Sequence, residues 1–229
     1  MKYPPRTIAL ICELFHPPLQ PDPAHVQHVH NELFQGPDPA YKSFSVSPTG
    51  SVLSNPVTRP GEVSQAAFLP DRFQFREELT GLTVEEFAAR VRDITEQVAR
   101  LAGVQVFTAQ QVTVRTLVNP RHFRDSRQYL KQGMFGFDDE TEVFGRAPEL
   151  YGLRLVFPPR PDVPNAHALR IESFSSDPRS LYLEDQASFP PVLPARGLEV
   201  VADNVQETYA FLVERSLEFV ARFDTSPQA

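Results

Sequence analysis

The side chains able to do chemistry are few, and the histidines come first. The stretch HVQHVH puts His25 and His28 one turn apart on a short helix, with His30 off that face and His16 upstream. Two imidazoles at that spacing can begin a zinc site, yet no cysteine or carboxylate stands near them at ligand spacing. Solvent-facing or capping histidines are the better account, and no metal or cofactor is expected. Cys12, the single cysteine, lies in an apolar strand, where a thiol behaves as a small hydrophobe unless a base sits beside it. Asp138, Asp139, Glu140 and Glu142 form an acidic loop without the spacing or glycine of an EF-hand. It reads as a solvated loop, and Glu184-Asp185 reads the same way. GMFG at 133–136 has the outline of a KH-type GXXG loop, but an acidic run follows it, and that reading is set aside. Walker, GxGxxG, GxSxG and HExxH patterns are missing from the sequence. A non-enzymatic role is the expectation.

The local departure from an acidic average is RTLVNPRHFRDSRQYLK, residues 115–131. Arg115, Arg121, Arg124, Arg127 and Lys131 stand against Asp125, a net of +4 in a chain of −7. Arg124, Arg127 and Lys131 are three and four apart and share one helical face, with Phe123 and Tyr129 interleaved. Guanidinium forks match phosphate and carboxylate alike. The plain alternative is a solvated helix whose cations pair with the acidic loop just after it.

These residues need elements to place them. The organising stretch is Thr83 to Asn119. Thr83 and Glu86 form a capping box, and Phe87, Val91, Ile94, Val98 and Leu101 make one apolar stripe. Gly103 stands where a left-handed C-cap belongs. From residue 104 the period changes to two: Val104, Val106, Val112, Val114 and Val118 share one parity, and Gln105, Gln111, Thr113 and Arg115 the other. Before this come an apolar strand over 6–15, ended by Pro17-Pro18, and a short helix over about 24–34. Strands follow at 41–47, 50–58 and 64–77, the first two joined by the turn SPTG. After it come a short helix over about 121–132, strands near 150–157, 167–174 and 180–186, and a helix over 204–223 capped by Asp203.

Both halves, about 1–102 and 103–229, thus read strand, short helix, strands, long helix. The fold expected is a single α+β domain with pseudo-duplicated halves, a curved antiparallel sheet backed by two long helices. Arg115 would lie on the other face. One cysteine excludes an internal disulfide framework and fits a reducing cytoplasm, and no apolar run approaches the roughly 18 residues of a membrane span. Nor does the N-terminus carry a signal peptide's cleavage site. Arginine outnumbers lysine 19 to 3, which reflects genomic composition before function.

The N-terminal prolines with their apolar strand, the central helix running into V-x-V-R-x-x-x-N, and the terminal amphipathic helix together carry a resemblance. Over nearly the whole chain the sequence resembles a sporadically distributed prokaryotic family of uncharacterised proteins. That family's mid-chain L-R-Y-x-N strand implies a match at Arg115 and Asn119. Thr116 replaces its tyrosine, and one extra residue precedes the asparagine. The resemblance implies the architecture and no activity. The functional expectation is a cytoplasmic binding or adaptor module that meets a partner protein through the sheet face and Arg115, Arg121, Phe123, Arg124, Arg127, Tyr129 and Lys131. The alternatives are sequence-tolerant nucleic-acid binding on the same face and an enzyme without a recognisable motif. The net charge of −7 weighs against a polyanion, and the exposed aromatics Phe135 and Phe137 leave room for a homo-oligomer.

Overall fold

The computed structural model describes residues 3–20, 22–137 and 143–225. Its strands are β1 (Arg6–Phe15), β2 (Ser43–Ser47), β3 (Gly50–Ser54), β4 (Val63–Phe68), β5 (Arg72–Glu78), β6 (Ala109–Val118), β7 (Gly152–Phe157), β8 (Ala166–Ser173) and β9 (Leu181–Phe189). They form one antiparallel sheet in the order β2-β3-β4-β5-β1-β6-β9-β8-β7, so the fold is α+β. The chain's first strand and its mid-chain strand are the central pair. From each of them the chain crosses by a helical excursion to an edge, β2 or β7, and returns strand by strand to the centre through β3, β4 and β5 or through β8 and β9.

Strand alternation divides the side chains cleanly between the two faces. Leu10, Cys12 and Leu14 of β1 point to the core and pair across β5 and β6 with Phe73, Phe75, Val112 and Val114. Burial pushes the Cys12 thiol up to about 12, which leaves it a protonated, inert packing group at neutral pH. The helices are α1 (Pro23–Leu33), α2 (Val84–Ala102), α3 (Ser126–Gln128), α4 (Glu199–Ala210) and α5 (Leu217–Phe223). Arg90 of α2 reaches Glu77 on the core face, and the Val201 carbonyl of α4 accepts from Gln110 on that face at 3.0 Å. Buried apolar residues from Tyr3 to Ala221 belong to one continuous cluster. No helix among the described residues is long and apolar enough to cross a membrane.

The capping box at Thr83 is formed, and Gly103 ends α2 at φ 69° with its N–H on the Ala99 carbonyl. Several boundaries differ from the sequence reading, each for a local reason. The run 64–77 is two strands, because Leu69 turns back with its N–H on the Arg72 carbonyl. The strand expected from 104 begins at Ala109; Val104 and Phe107 are buried in the preceding linker, where Phe107 pairs with Val192. Asp203 caps nothing, since α4 starts a turn earlier at Glu199. A π-helical turn, Phe211–Ser216, joins α4 to α5. The short helix expected over 121–132 opens only at Ser126, capped by Asp125, whose carboxylate accepts from the Gln128 N–H at 2.8 Å. It widens at once into a π-helical turn, Tyr129–Met134.

Candidate functional site

The sequence-predicted residues do not form one surface. Arg115 lies on the face opposite the core, inside a charge ladder that crosses the sheet. Its Nε donates to Glu184 at 2.7 Å, and its Nη1 reaches Glu78 at 3.7 Å across β1. The reach is possible because small Ala9 stands between Glu78 and Arg115 in the register. Arg76 extends the ladder from Glu78, and Arg170 extends it from Glu184 to Glu172. Burial raises the Glu184 carboxyl, but bonds from Tyr182 and Arg115 outweigh that and hold it below its usual range.

Residues 121–134 pack elsewhere. Phe123 and Tyr129, expected as surface anchors, are core residues instead. They meet edge to face at 5.6 Å, and the Tyr129 hydroxyl donates to the Val220 carbonyl at 2.8 Å. Gly133 is needed for this packing, because a Cβ there would stand 2.7 Å from the Phe123 ring. Arg121 lies over the Tyr3 ring, and the backbone N–H groups of Arg121 and His122 donate to Asp224. Arg124, 88% exposed, pairs with its neighbour Asp125. Arg127 is exposed and Lys131 half-buried. The acidic loop proposed as their counter-charge, residues 138–142, lies outside the described residues.

Of the histidines singled out by sequence, His16 and His25 line one small cavity, while His28 lies apart from it. His25 is half-buried beside Asp22, and His28 faces solvent beside Glu32. His16 is buried at a small cavity of about 100 Å³, lined also by Ser51, Phe68 and Phe73. No cluster of metal-ligating side chains occurs among the described residues.

The most concentrated polar chemistry sits where β8, β9 and α4 meet. Asp185, read from sequence as solvated, is fully buried. It shares the core parity of β9 with Leu181, Leu183 and Ala187, between Val114 and Leu169 in the register. His167, on the adjacent strand, faces it with Nδ1 2.7 Å from Asp185 Oδ2. Asn165 then bridges His167 Nε2 at 3.2 Å and Glu207 Oε1 at 2.5 Å. A carboxylate only accepts, so the Asn165 amide nitrogen must face Glu207. The same N–H₂ group then donates to Nε2, which places the imidazole proton on Nδ1, toward Asp185. The result is a directional chain from a buried carboxylate to an exposed one.

The π-helical turn completes the setting. Its extra residue per turn brings Phe211 flat onto the His167 ring, with centroids 4.0 Å apart at 18°. The Ser216 hydroxyl donates to the Phe211 carbonyl at 3.1 Å, satisfying the loosened turn. Wide turns of this kind recur at functional positions. Burial raises the Asp185 carboxyl above its usual range, and the His167 bond only partly offsets it.

Two adjoining cavities open over this chain, both lined by Val163, Asn165 and Glu207. The larger, about 660 Å³, also takes in Phe189, Leu193 and Val200; the smaller, about 400 Å³, takes in Phe157, His167 and Phe211. Phe157, Val163, Leu193 and Val200 are exposed apolar side chains gathered at this one place. Asn165, His167, Asp185, Glu207 and Phe211 were all missed in the sequence. The signal for two of them was there: a histidine and an aspartate at core-parity positions of two successive strands. No protein-family model matches the chain, and neither does any curated protein.

Proposed function

We propose that this chain is a binding module built from two related halves, and that its ligand sits in the cleft over His167. The observation that carries the reading is the hydrogen-bond chain Asp185–His167–Asn165–Glu207 under apolar walls. Small-molecule sites typically combine apolar walls of this kind with a few converging polar groups, in volumes of roughly 300–1,000 Å³. Binding is favoured over catalysis because both ring nitrogens of His167 are engaged, one by Asp185 and one by Asn165. The ring is held in place and offers no free lone pair to a substrate. Relatedness of the halves is supported by the register, in which Glu77–Leu10–Val114–Asp185 forms one row centred on the β1–β6 pair.

A second reading keeps a protein partner on the sheet face and the basic segment. It is favoured by Arg124 and Arg127, which project into solvent. With Phe123 and Tyr129 inside, such a contact lacks the aromatic anchors that dominate stable interfaces.

Nile red, an uncharged dye that brightens in apolar surroundings, separates the two. It should bind the full chain with one-to-one stoichiometry. Val200→Glu and Leu193→Glu, both at exposed positions, should abolish the signal without lowering Tm. Undiminished binding by both variants would remove the cleft from consideration.

A further inference from the structure

If the cleft is the ligand site, its balance of donors and acceptors narrows what it takes. Asp162, Glu199 and Glu207 line the larger lobe against one guanidinium, Arg196. Two buried side-chain amides line it as well, and both direct their N–H₂ groups to protein acceptors. Asn165 serves His167 and Glu207, while Asn204 donates to Gln110 Oε1 at 2.7 Å. A side-chain amide has two N–H donors and a carbonyl acceptor, so Asn165 leaves over only its acceptor, and Asn204 its acceptor and one N–H. Asn165 is only 5% exposed, and its Oδ1 has no hydrogen-bond partner among the described residues. Pro164, Pro190 and Pro191 line the same lobe and carry no N–H at all.

The lobe is therefore rich in acceptors, poor in donors and negatively charged. Its remaining wall is hydrocarbon: Val163, Phe189, Val192, Leu193 and Val200. With Asp162 paired to Arg160, a carboxylate ligand would still meet the like charges of Glu199 and Glu207, and a neutral one would bring them no counter-charge. We infer that the cleft binds a small organic ammonium ion, an amine on an aliphatic body. The –NH₃⁺ group brings three donors and one positive charge to the Glu207 end of the floor. The body lies along Val163 and Leu193, where its burial excludes water from the charge pair and strengthens it. Arg160 does not compete for the ligand, because Asp162 holds it at 3.3 Å.

The test titrates the full chain with hexylammonium, hexan-1-ol and hexanoate at pH 7 and low salt, following the methyl resonances of Val163, Leu193 and Val200. Hexylammonium should move them saturably, hexanol should bind at least tenfold more weakly, and hexanoate should not bind. Glu199→Gln combined with Glu207→Gln should raise the Kd for hexylammonium at least tenfold and change that for hexanol less than twofold. Equal binding of hexanol, or preference for hexanoate, overturns the ammonium assignment and leaves the cleft as an apolar site. If none of the three moves these methyls, the ammonium inference falls. The Nile red result then decides separately whether the cleft reading falls with it.

Discussion

Two buried carboxylates stand at mirrored places in the sheet, and they are treated in opposite ways. Glu77 and Asp185 flank the central Leu10–Val114 pair in one cross-strand row, one beside Leu10 and one beside Val114, both on the core face. Glu77 is closed off. Arg90 donates to its Oε1 at 2.7 Å, Ser64 at 3.0 Å and Tyr41 at 3.3 Å, and the Arg90 guanidinium lies over the Tyr41 ring. Among the described residues no guanidinium pairs with Asp185. The Asp185 carboxylate has one imidazole donor on Oδ2, and its buried Oδ1 has no hydrogen-bond partner among the described residues. Burial raises both carboxyls above their usual range, but only Glu77 has a full cation to pull it back. A carboxylate met by a guanidinium, a hydroxyl and a phenol serves the fold. One left under-matched beneath an open cleft costs stability, the usual trade at sites kept for binding.

The sharpest way to break this contrast is to remove the cation. Arg90→Ala leaves Glu77 buried without its counter-charge and should cost about 3–5 kcal/mol in urea unfolding at pH 7. The variant's Glu77 carboxyl should rise further, so its deficit is carried by the ionised form. That deficit should shrink as pH falls through the carboxylate range, and adding Glu77→Gln should recover part of it. A loss under 1 kcal/mol would mean that Glu77 is not the closed member of the pair.

Asp185→Asn should move in the other direction, and by less. A carboxyl raised in the folded state contributes stability that is present at low pH and lost as pH rises through its folded value. The wild type therefore carries a penalty at pH 7 that the amide lacks. The variant should match or exceed wild-type stability there, by about 1 kcal/mol at most, and the two curves should converge in acid. A loss comparable to that of Arg90→Ala would make Asp185 a structural group like its counterpart.

Arg115→Ala should have the smallest effect. The ladder on the open face is partly solvated, and such pairs contribute about 0–1 kcal/mol, less at high salt. A larger, salt-independent loss would show that this face is not open to water.

The backbone plan was legible because it rests on local chemistry. The α2 cap at Thr83, the stop at Gly103 and the alternation of β1 and β6 are written in neighbouring residues. The start of α4 was misplaced because Asp203 looks like a cap, while the true start at Leu198 has no capping side chain. The basic segment misled for a related reason. Arg124, Arg127 and Lys131 have helical spacing, but Phe123 and Tyr129 beside them serve the core through contacts with Gly133 and Val220, distant or non-periodic partners. The cleft was illegible for a stronger reason. Asn165 and Glu207 are 42 residues apart, and His167 and Asp185 are 18 apart. Only strand pairing and the packing of α4 beside β9 bring these groups together. Parity alone distinguishes Asp185 from the solvated Glu residues it resembles.

The central claim is that the cleft over His167 holds a ligand, and a heavy-atom ligand tests it most directly. Crystals of the full chain soaked with 6-bromohexylammonium would locate the bromine by its anomalous scattering. The account predicts bromine against Val163 or Leu193, with the ammonium nitrogen within about 3.2 Å of the Glu207 carboxylate. Bromine found only elsewhere, on the open sheet face beside Arg115 or in the cavity beside His16, would contradict it.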